Sequence, residues 1–271
     1  MGTTAKIAAS VIGVIFVLSV FASFLIPWDP DAINLDAIRQ PPSMTHPLGT
    51  DNKGRDILSR ALAGGRISIG ISVFAAIISM LAGLSVGLVS GYYGGAADTV
   101  LMALVDLILA FPSLILAIGI SVLLPPGMYT VVIAIASVGW VSFARLVRGH
   151  VLSLKEAPYV EAAKAIGCGD IRILIVHILP QCIPLAFVMA GMKLGGYILT
   201  EAALGFLGLG VQPPTATWGS MISANRAFIN SSPWMVLPPG ALIAVTALCF
   251  NLIGDSLRDG FDAARDKLRY F

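Results

Sequence analysis

Three ionisable side chains, Asp106, Lys193 and Glu201, lie inside long apolar stretches of the sequence. A charged group within a membrane is costly, so such residues usually face protein or water and often serve the movement of ions or solutes. Lys193 and Glu201 are eight positions apart, which places them about 80° apart around a helix, on one broad face but out of contact. Two interpretations stay open: a buried pair between spans, such as Asp106 with Lys193, or side chains that line a solute path.

A second chemical pattern, Gly-Leu-Ser-Val-Gly at residues 83–87, matches the G-x-S-x-G motif of serine hydrolases. That motif needs a strand followed by a sharp turn that exposes the serine. Here it lies in a long apolar segment, and the three histidines, His46, His150 and His177, fall in predicted loops or loop helices. An intramembrane serine hydrolase is therefore a remote alternative, and no catalytic residue is assigned.

The sequence indicates neither a metal site nor a nucleotide site. Its three cysteines are scattered without a C-x-x-C spacing, which favours packing residues over a zinc site or a disulfide framework. The chain contains no G-x-x-x-x-G-K-[ST] phosphate loop and no Gly-Lys pair. We therefore expect no cofactor and no bound metal, and any hydrolysis of nucleotide must take place on another chain.

The composition is typical of a membrane protein. Of 271 residues, 57% are apolar and 12% are charged, and the mean hydropathy is +0.88, whereas a soluble domain carries about 25% charged residues. A helix needs about 20 apolar residues to cross a bilayer. This criterion predicts an all-α membrane protein with six transmembrane helices, the first an uncleaved anchor: 7–26, 67–90, 99–124, 128–144, 183–207 and 236–253.

Basic residues near the ends of the spans indicate the orientation. They precede the first span, fill the connection between the fourth and fifth spans, and follow the last: Lys6, Arg145, Arg148, Lys155, Lys164, Arg172, Arg258, Arg265, Lys267 and Arg269. With six spans these regions share one side, which the positive-inside rule makes cytoplasmic. Both termini are then cytoplasmic, although five basic residues between Arg39 and Arg66 lie in the first outside loop and oppose the rule.

Small residues recur at every fourth position of the second span: Ala75, Ser79, Gly83, Gly87, Gly91 and Gly95. Such residues let helix backbones approach closely in lipid. The stripe predicts packing within the chain or against a second membrane subunit, and Gly191 and Gly195 predict the same for the fifth span. Phe111-Pro112 and Pro184 are expected to kink their helices.

Two segments lie outside in this topology. Residues 205–233 are rich in Gly, Pro, Ser and Thr, and we expect a partly re-entrant loop there with Trp218 near the membrane interface. The run at residues 49–56, Gly-Thr-Asp-Asn-Lys-Gly-Arg-Asp, predicts a tight turn with paired charges. We assign that turn a structural role.

The connection between the fourth and fifth spans predicts a short surface helix. Pro158 suits its first turn, Glu161 suits the positive end of the helix dipole, and Gly167 suits a left-handed stop. Asp170 can cap a second helix, and Pro180 is expected to interrupt the chain before the fifth span. On these grounds alone, an amphipathic helix at the membrane surface fits equally well.

This connection also resembles the signature loop of the permeases of binding-protein-dependent ABC importers. The matching residues are Glu161, Ala162, Ala163, Gly167, Leu179 and Pro180. His177 takes the position of the usual Ile, as in the peptide and nickel branch of that family. Residues 46–60, 203–221 and 251–262 are similar to the same branch, so the resemblance extends over about residues 46–262.

The resemblance implies a type I ABC importer permease whose cytoplasmic coupling helix, Pro158 to Gly167, sits on a separate ATPase. We expect a single permease domain over residues 1–271, with a first span and outside loop (1–66) and a five-helix core (67–271) that carries the coupling loop (145–182). The implied partners are a second homologous permease subunit, with a heterodimer favoured over a homodimer, two cytoplasmic ATPases, an extracytoplasmic solute-binding protein and the lipid bilayer. No nucleic-acid partner is expected.

The resemblance also implies a function, namely ATP-driven import across a bacterial or archaeal plasma membrane. In this interpretation the chain forms half of a path for di- or oligopeptides. Nickel or chelated nickel is the main alternative, because closely similar permeases carry it, and glutathione or sugars are further alternatives. A passive channel would not need a docking helix and is a rival from a different class.

Overall fold

The structure is a computed structural model that describes residues 2–26 and 28–268. Within these ranges the chain is helical and has no β-strand, only one antiparallel bridge between Thr50 and Asp56. The predicted all-α class is confirmed. The α-helices are α1 (Thr3–Val20), α2 (Ala22–Leu25), α3 (Ile57–Tyr93), α4 (Gly95–Leu109), α5 (Ser113–Leu123), α6 (Met128–Leu154), α7 (Pro158–Ala165), α8 (Asp170–Arg172), α9 (Leu179–Phe206), α10 (Trp218–Asn225) and α11 (Leu237–Leu268).

Five helical segments of the described chain are long and apolar enough to cross a membrane: α1, α3, α6, the run from α8 to α9, and α11. The pair α4 and α5 counts as a sixth span if it is taken together, although its two helices are bent by 93°. The third span was expected to run continuously over 99–124, and it is broken instead. The break lies at Ala110–Pro112, which confirms the predicted effect of Phe111-Pro112, because proline cannot continue the hydrogen-bond ladder.

The helix α3 begins ten residues before the predicted span, at Ile57. Its start is set by Asp56, whose Oδ2 accepts the backbone N–H of Ser59 at 2.8 Å, while Oδ1 lies 2.9 Å from Nδ1 of His46. A side-chain cap satisfies an N–H group that has no partner within the helix. The helix therefore starts at its cap and not where the apolar run starts.

The small-residue stripe of α3 packs against α6 of the same chain. Five of its six members, Ala75 to Gly91, are buried, whereas Gly95 is exposed. A Cβ atom on Gly91 would lie 2.8 Å from Cβ of Val151, so no side chain fits between the helices. On the fifth span, a Cβ atom on Gly195 would lie 2.8 Å from the carbonyl oxygen of Ala247 in α11. The prediction of packing within the chain is confirmed for both spans.

The fifth span is longer than predicted. A π-helical turn, Ile173–Ile178, joins α8 to α9, so that a single helical segment runs from Asp170 to Phe206. The expected interruption at Pro180 is wrong, because this wider turn stands immediately before the proline and relieves the clash with the preceding carbonyl. Pro184 also lies inside α9 without ending it.

The segment 205–233 contains the helix α10, which packs against α3 and α9. Trp218 is fully buried, its Nε1 donates to the carbonyl oxygen of Ala61 at 2.8 Å, and its backbone N–H donates to Ser68 Oγ at 3.2 Å. The structure therefore places Trp218 in the protein interior, whereas the sequence predicted a position near the membrane interface, and the re-entrant course of the segment stays a prediction. A protein carbonyl satisfies the indole N–H, and Gly219 lets α10 contact the backbone of Ala202 in α9.

The predicted turn at residues 49–56 is confirmed. Asp51 accepts the backbone N–H of Lys53 at 2.8 Å and the Nε–H of Arg55 at 2.7 Å. Gly54 has φ +72°, and a Cβ atom there would collide with the backbone of Asn34. The charges serve the turn itself, as the sequence indicated.

Candidate functional site

The predicted surface helix is α7, which runs from Pro158 to Ala165. Pro158 occupies the first turn, and Gly167 adopts φ +83° just beyond the end of the helix. The backbone N–H of Gly167 donates to the carbonyl of Lys164 at 3.0 Å, and that of Cys168 donates to Ala163 at 3.0 Å. These bonds satisfy carbonyls that a helix end leaves free, so the predicted left-handed stop is confirmed.

The inner face of α7 is anchored to the helices beneath it. Val160 and Ala163 are buried in a cluster whose other fully buried members come from α6 and the start of the fifth span: Val147, Val151, Ile173, Ile178 and Cys182. The opposite face of α7 is open, with Glu161 and Ala162 exposed and Ile166 exposed to 81% just past its end. The helix is thus held firmly from one side and presents a small mixed surface on the other.

Two contacts join this loop to the end of α3. The Tyr92 hydroxyl donates to Asp170 Oδ1 at 2.6 Å, and Lys164 Nζ lies 5.7 Å from the centre of the Tyr92 ring. Asp170 was expected to cap a helix, but its side chain makes no cap bond and Gly169 takes the cap position. The carboxylate faces the phenol instead, a partner distant in sequence that the local pattern could not reveal.

Tyr159 is a further polar group on α7. Its side chain is 42% exposed, and burial of the remainder raises the pKa of the phenol above its ordinary value of 10.0. Tyr159 is therefore protonated at neutral pH and can donate a hydrogen bond to a docked surface. The sequence pattern did not single it out.

The remaining signature residues lie on the next helix. Leu179 and Pro180 form the first turn of α9, directly after the π-helical turn. The structure therefore divides the signature into two parts: Pro158 to Gly167 in one helix and its stop, and Leu179-Pro180 at the base of the fifth span. The buried cluster beneath α7 connects the two parts through Ile178 and Cys182.

The ionisable residues of the spans do not pair as expected. Asp106 forms an ion pair with Arg145, and both side chains are more than half exposed, at 64% and 57%. Lys193 Nζ instead donates to Ser142 Oγ at 3.2 Å. The expected pair of Asp106 with Lys193 is wrong, because Asp106 pairs with Arg145 and Lys193 contacts Ser142 instead.

A second ion pair on α4 was missed from the sequence. Arg148 donates to both carboxylate oxygens of Asp98, with Nε to Oδ1 and Nη2 to Oδ2 each at 2.6 Å. Ser90 Oγ also donates to Asp98. Arg148 was counted only as a charge that sets the orientation, and no local signal linked it to a residue 50 positions away.

Glu201 faces away from these groups. Its residue is 1% exposed, so the carboxylate is enclosed by protein. Ser68 and Thr217 lie close to it, between α3 and the start of α10. Of the two charges on α9, only Lys193 borders open space.

That space is a cavity of about 340 Å³ between α5, α6, α9 and α11. Its lining mixes apolar side chains with hydroxyl and amide groups. Polar members of the lining include Ser113, Ser142, Lys193, Tyr197, Thr200 and Asn251. Cavities of this size and composition are typical of sites for small molecules.

The G-x-S-x-G motif has no hydrolase geometry. Residues 83–87 lie within α3, and Ser85 Oγ donates to the carbonyl of Leu81 at 2.9 Å. A nucleophilic serine of this class requires a strand-to-helix turn. The two glycines instead belong to the interface between α3 and α6.

Known proteins resemble the chain over most of its length. Residues 83–267 match the family described as "Binding-protein-dependent transport system inner membrane component". The glutathione transport system permease protein GsiD of Pectobacterium atrosepticum is 41% identical over 246 residues, which cover 90% of this chain and 82% of the relative. The oligopeptide transport system permease protein OppC of Bacillus subtilis is 39% identical over 258 residues, which cover 95% of this chain and 85% of the relative.

A third relative and a solved structure extend the comparison. The dipeptide transport system permease protein DppC of Alkalihalophilus pseudofirmus is 43% identical over 258 residues, which cover 93% of this chain and 85% of the relative. A crystal structure of inward-facing MetNI, a methionine ABC transporter, matches with a TM-score of 0.57 at 20% identity, covering 75% of this chain and 95% of the other. At that identity the match shows a shared fold, that of a type I ABC importer permease.

Proposed function

Because the chain belongs to the family of inner membrane components of binding-protein-dependent transport systems, we propose that it forms half of an import path for di- or oligopeptides. The chain is a membrane permease subunit and not an enzyme, and a separate subunit hydrolyses ATP. The family works with such an ATPase and with a solute-binding protein. The whole chain, residues 1–271, acts as one permease domain in this proposal.

Peptides are the substrate that the relatives favour. Proteins about 40% identical to this chain are named for the transport of oligopeptides, dipeptides or glutathione, which is itself a tripeptide. Nickel, the main alternative from the sequence, is less favoured, because these relatives are named for peptide cargo. The substrate proposal therefore rests on relatives that share nearly the full length of the chain.

The element that couples the path to ATP is α7 with its flanking residues. Glu161 and Ala162 offer an open face to the ATPase, while Pro158, Ala163 and Gly167 set the start, anchor and stop of the helix. Leu179 and Pro180 begin the fifth span just beyond the loop. The observation that carries the proposal is the rigid, one-sided anchoring of α7, since a helix fixed to the spans can transmit a rotation that a flexible loop would absorb.

A second, related permease subunit completes the path. The spans of this chain leave many large apolar side chains exposed, including Phe74, Ile115, Val122 and Phe187. Lipid covers part of this surface, and a related subunit is proposed to cover the rest, with a heterodimer favoured. The basic residues near α6, α7 and α11 support a cytoplasmic position for the loop and both termini.

The test is uptake into proteoliposomes that contain the whole transporter, with the binding protein supplied outside and ATP supplied to the ATPase side. We expect a labelled tripeptide to accumulate only when ATP, the ATPase and the binding protein are all present. Nickel ions in excess should not compete. Entry of the peptide without ATP, up to the outside concentration only, would favour a passive channel. Uptake of nickel in place of peptide would contradict the proposed substrate.

A further inference from the structure

Lys193 is a cation without an opposite charge inside the membrane-spanning part of the chain. Its ammonium group borders the cavity between α5, α6, α9 and α11, and its one hydrogen-bond partner there is the neutral hydroxyl of Ser142 at 3.2 Å. No ion pair of Lys193 is found among the described residues. Asp106 is engaged by Arg145, and Glu201 is enclosed near Ser68.

A lone ammonium group at such a place is costly. A charge within the bilayer normally pairs with an opposite charge or faces water, and unpaired ones mark paths for ions and substrates. Lysine has three donors, and Ser142 accepts one of them. Lys193 lines the cavity, so its remaining donors can bind an anionic group there.

The cavity wall fits part of a peptide. Apolar side chains such as Ile135 and Ala117 stand beside Thr200 and Asn251, whose oxygen atoms and amide can meet backbone groups. A volume of about 340 Å³ is within the range of about 300–1,000 Å³ that small ligands occupy. An apolar wall with one cation is the arrangement expected for a ligand that carries one negative end.

We propose that Lys193 binds the C-terminal carboxylate of a peptide as it passes through the membrane. The inference rests on the proposed function, because this ligand enters the cavity only if the chain transports peptides. Peptides differ in their side chains but share a backbone and two charged ends, so a path that accepts many of them can recognise only those shared features. Lys193 supplies the charge for the negative end, and Ser142 holds the ammonium group towards the cavity.

The first test compares two forms of one peptide in the reconstituted transporter. A labelled tripeptide is used in two forms, one with a free C-terminal carboxylate and one with a C-terminal amide. The affinity of the binding protein for each form is measured first, and uptake is then measured with the binding protein at a saturating concentration. We expect Lys193→Met to lower uptake of the carboxylate form by about tenfold, the loss of one charge-assisted contact, and to change uptake of the amide by less than about twofold. Lys193→Arg keeps the charge and should stay within about threefold of the wild type on both forms.

A second pair of variants does not depend on the amide. Ser142→Asp places a carboxylate beside Lys193 and should lower uptake of the carboxylate peptide as Lys193→Met does. The asparagine of Ser142→Asn is nearly the same size as aspartate but adds no charge, so uptake by that variant should stay within about threefold of the wild type. The ATPase should copurify with each of the four variants at the wild-type ratio, which shows that the complexes are assembled.

Three results would overturn the inference. Unchanged uptake by Lys193→Met would remove any role for the charge, and an equal loss for both peptide forms would assign Lys193 to structure or to a lipid phosphate. Equal effects of Ser142→Asp and Ser142→Asn would show that charge at the cavity is irrelevant. If the wild-type transporter moves neither peptide form, the proposed function fails, and that outcome is separate from the three above because it precedes any variant.

Discussion

Gly87 of α3 lies against the carbonyl group of Ala144 in α6, so that a Cβ atom on Gly87 would stand 2.7 Å from that oxygen. The two backbones meet with no side chain between them. Lipid tails are as apolar as the helices, so van der Waals packing of this kind holds membrane helices together. The contact belongs to the most extensive interface between two helices of the described chain.

Gly87→Val should destabilise the protein. The added side chain forces α3 and α6 apart, and overpacking of this kind costs about 1–3 kcal/mol. The midpoint of thermal unfolding in detergent should fall by several degrees relative to the wild type. The matched control is Gly70→Val on the same helix, since a Cβ atom there meets nothing within 4 Å. Equal midpoints for the two variants would contradict the close contact.

Gly167→Val should impair coupling to the ATPase. A β-branched residue at φ +83° is strained by about 1–2 kcal/mol, so the stop of α7 and the exposed face of the helix should shift. We expect ATP-driven uptake to fall by at least tenfold, with less ATPase recovered in the purified complex and with normal insertion into the membrane.

The control for this variant is Gly169→Val, two residues away. Gly169 has φ −68° and ψ 152°, and a Cβ atom there meets nothing within 4 Å, so a side chain is accommodated. Uptake by that variant should stay near the wild-type level. Wild-type uptake by Gly167→Val itself would exclude a role for the left-handed stop in coupling.

The ion pair of Arg148 with Asp98 should stabilise the protein more than that of Arg145 with Asp106. The first is bidentate, with side chains 32% and 19% exposed, while the second is largely open to solvent. Partly buried hydrogen bonds between charged groups contribute at most about 1.5–3 kcal/mol to stability, and solvent-exposed ion pairs contribute about 0–1 kcal/mol. Arg148→Met should therefore lower the unfolding midpoint clearly, and Arg145→Met should barely change it.

A double-mutant cycle separates the Arg148 contact from other effects of the substitution. The losses caused by Arg148→Met and by Asp98→Asn should not add, because each removes the same interaction. Additive losses would mean that the two residues act independently, against the distances observed between them.

Asp56→Ala should weaken the start of α3. The substitution removes the acceptor of the Ser59 N–H and the partner of His46, and loss of a helix cap costs about 0.5–2 kcal/mol. The unfolding midpoint should fall. Asp36→Ala, in the same loop before α3 but exposed, should leave the midpoint unchanged. Hydrogen exchange that stays slow at the first turn of α3 in Asp56→Ala would contradict the role of the cap.

The elements that could be predicted from the sequence depend on local physics. Apolar length located the spans, a spacing of four located the face of α3 that meets α6, and Pro158 with Gly167 located α7 and its stop. The bend at Phe111-Pro112 also followed from residue type. In each case the determining interaction lies within a few residues or follows helical periodicity.

What could not be predicted depends on partners distant in the chain. The burial of Trp218 against Ala61, the contact of Asp170 with Tyr92 and the ion pair of Asp106 join residues far apart in sequence. The angle of 93° between α4 and α5 is also not encoded in the proline alone. The partners of the charged side chains therefore depend on how the helices pack and could not be predicted from the sequence.

The unbroken run from Asp170 to Phe206 has a mechanical consequence. Its 37 residues measure about 55 Å at 1.5 Å per residue, so one helical segment leads from the residues just after α7 to the far end of the fifth span. Lys193 lies on this segment, beyond the π-helical turn at Ile173–Ile178. A rotation of the first turns of this segment would also displace Lys193, because the residues just after the proposed coupling helix and the proposed peptide contact lie on one continuous element.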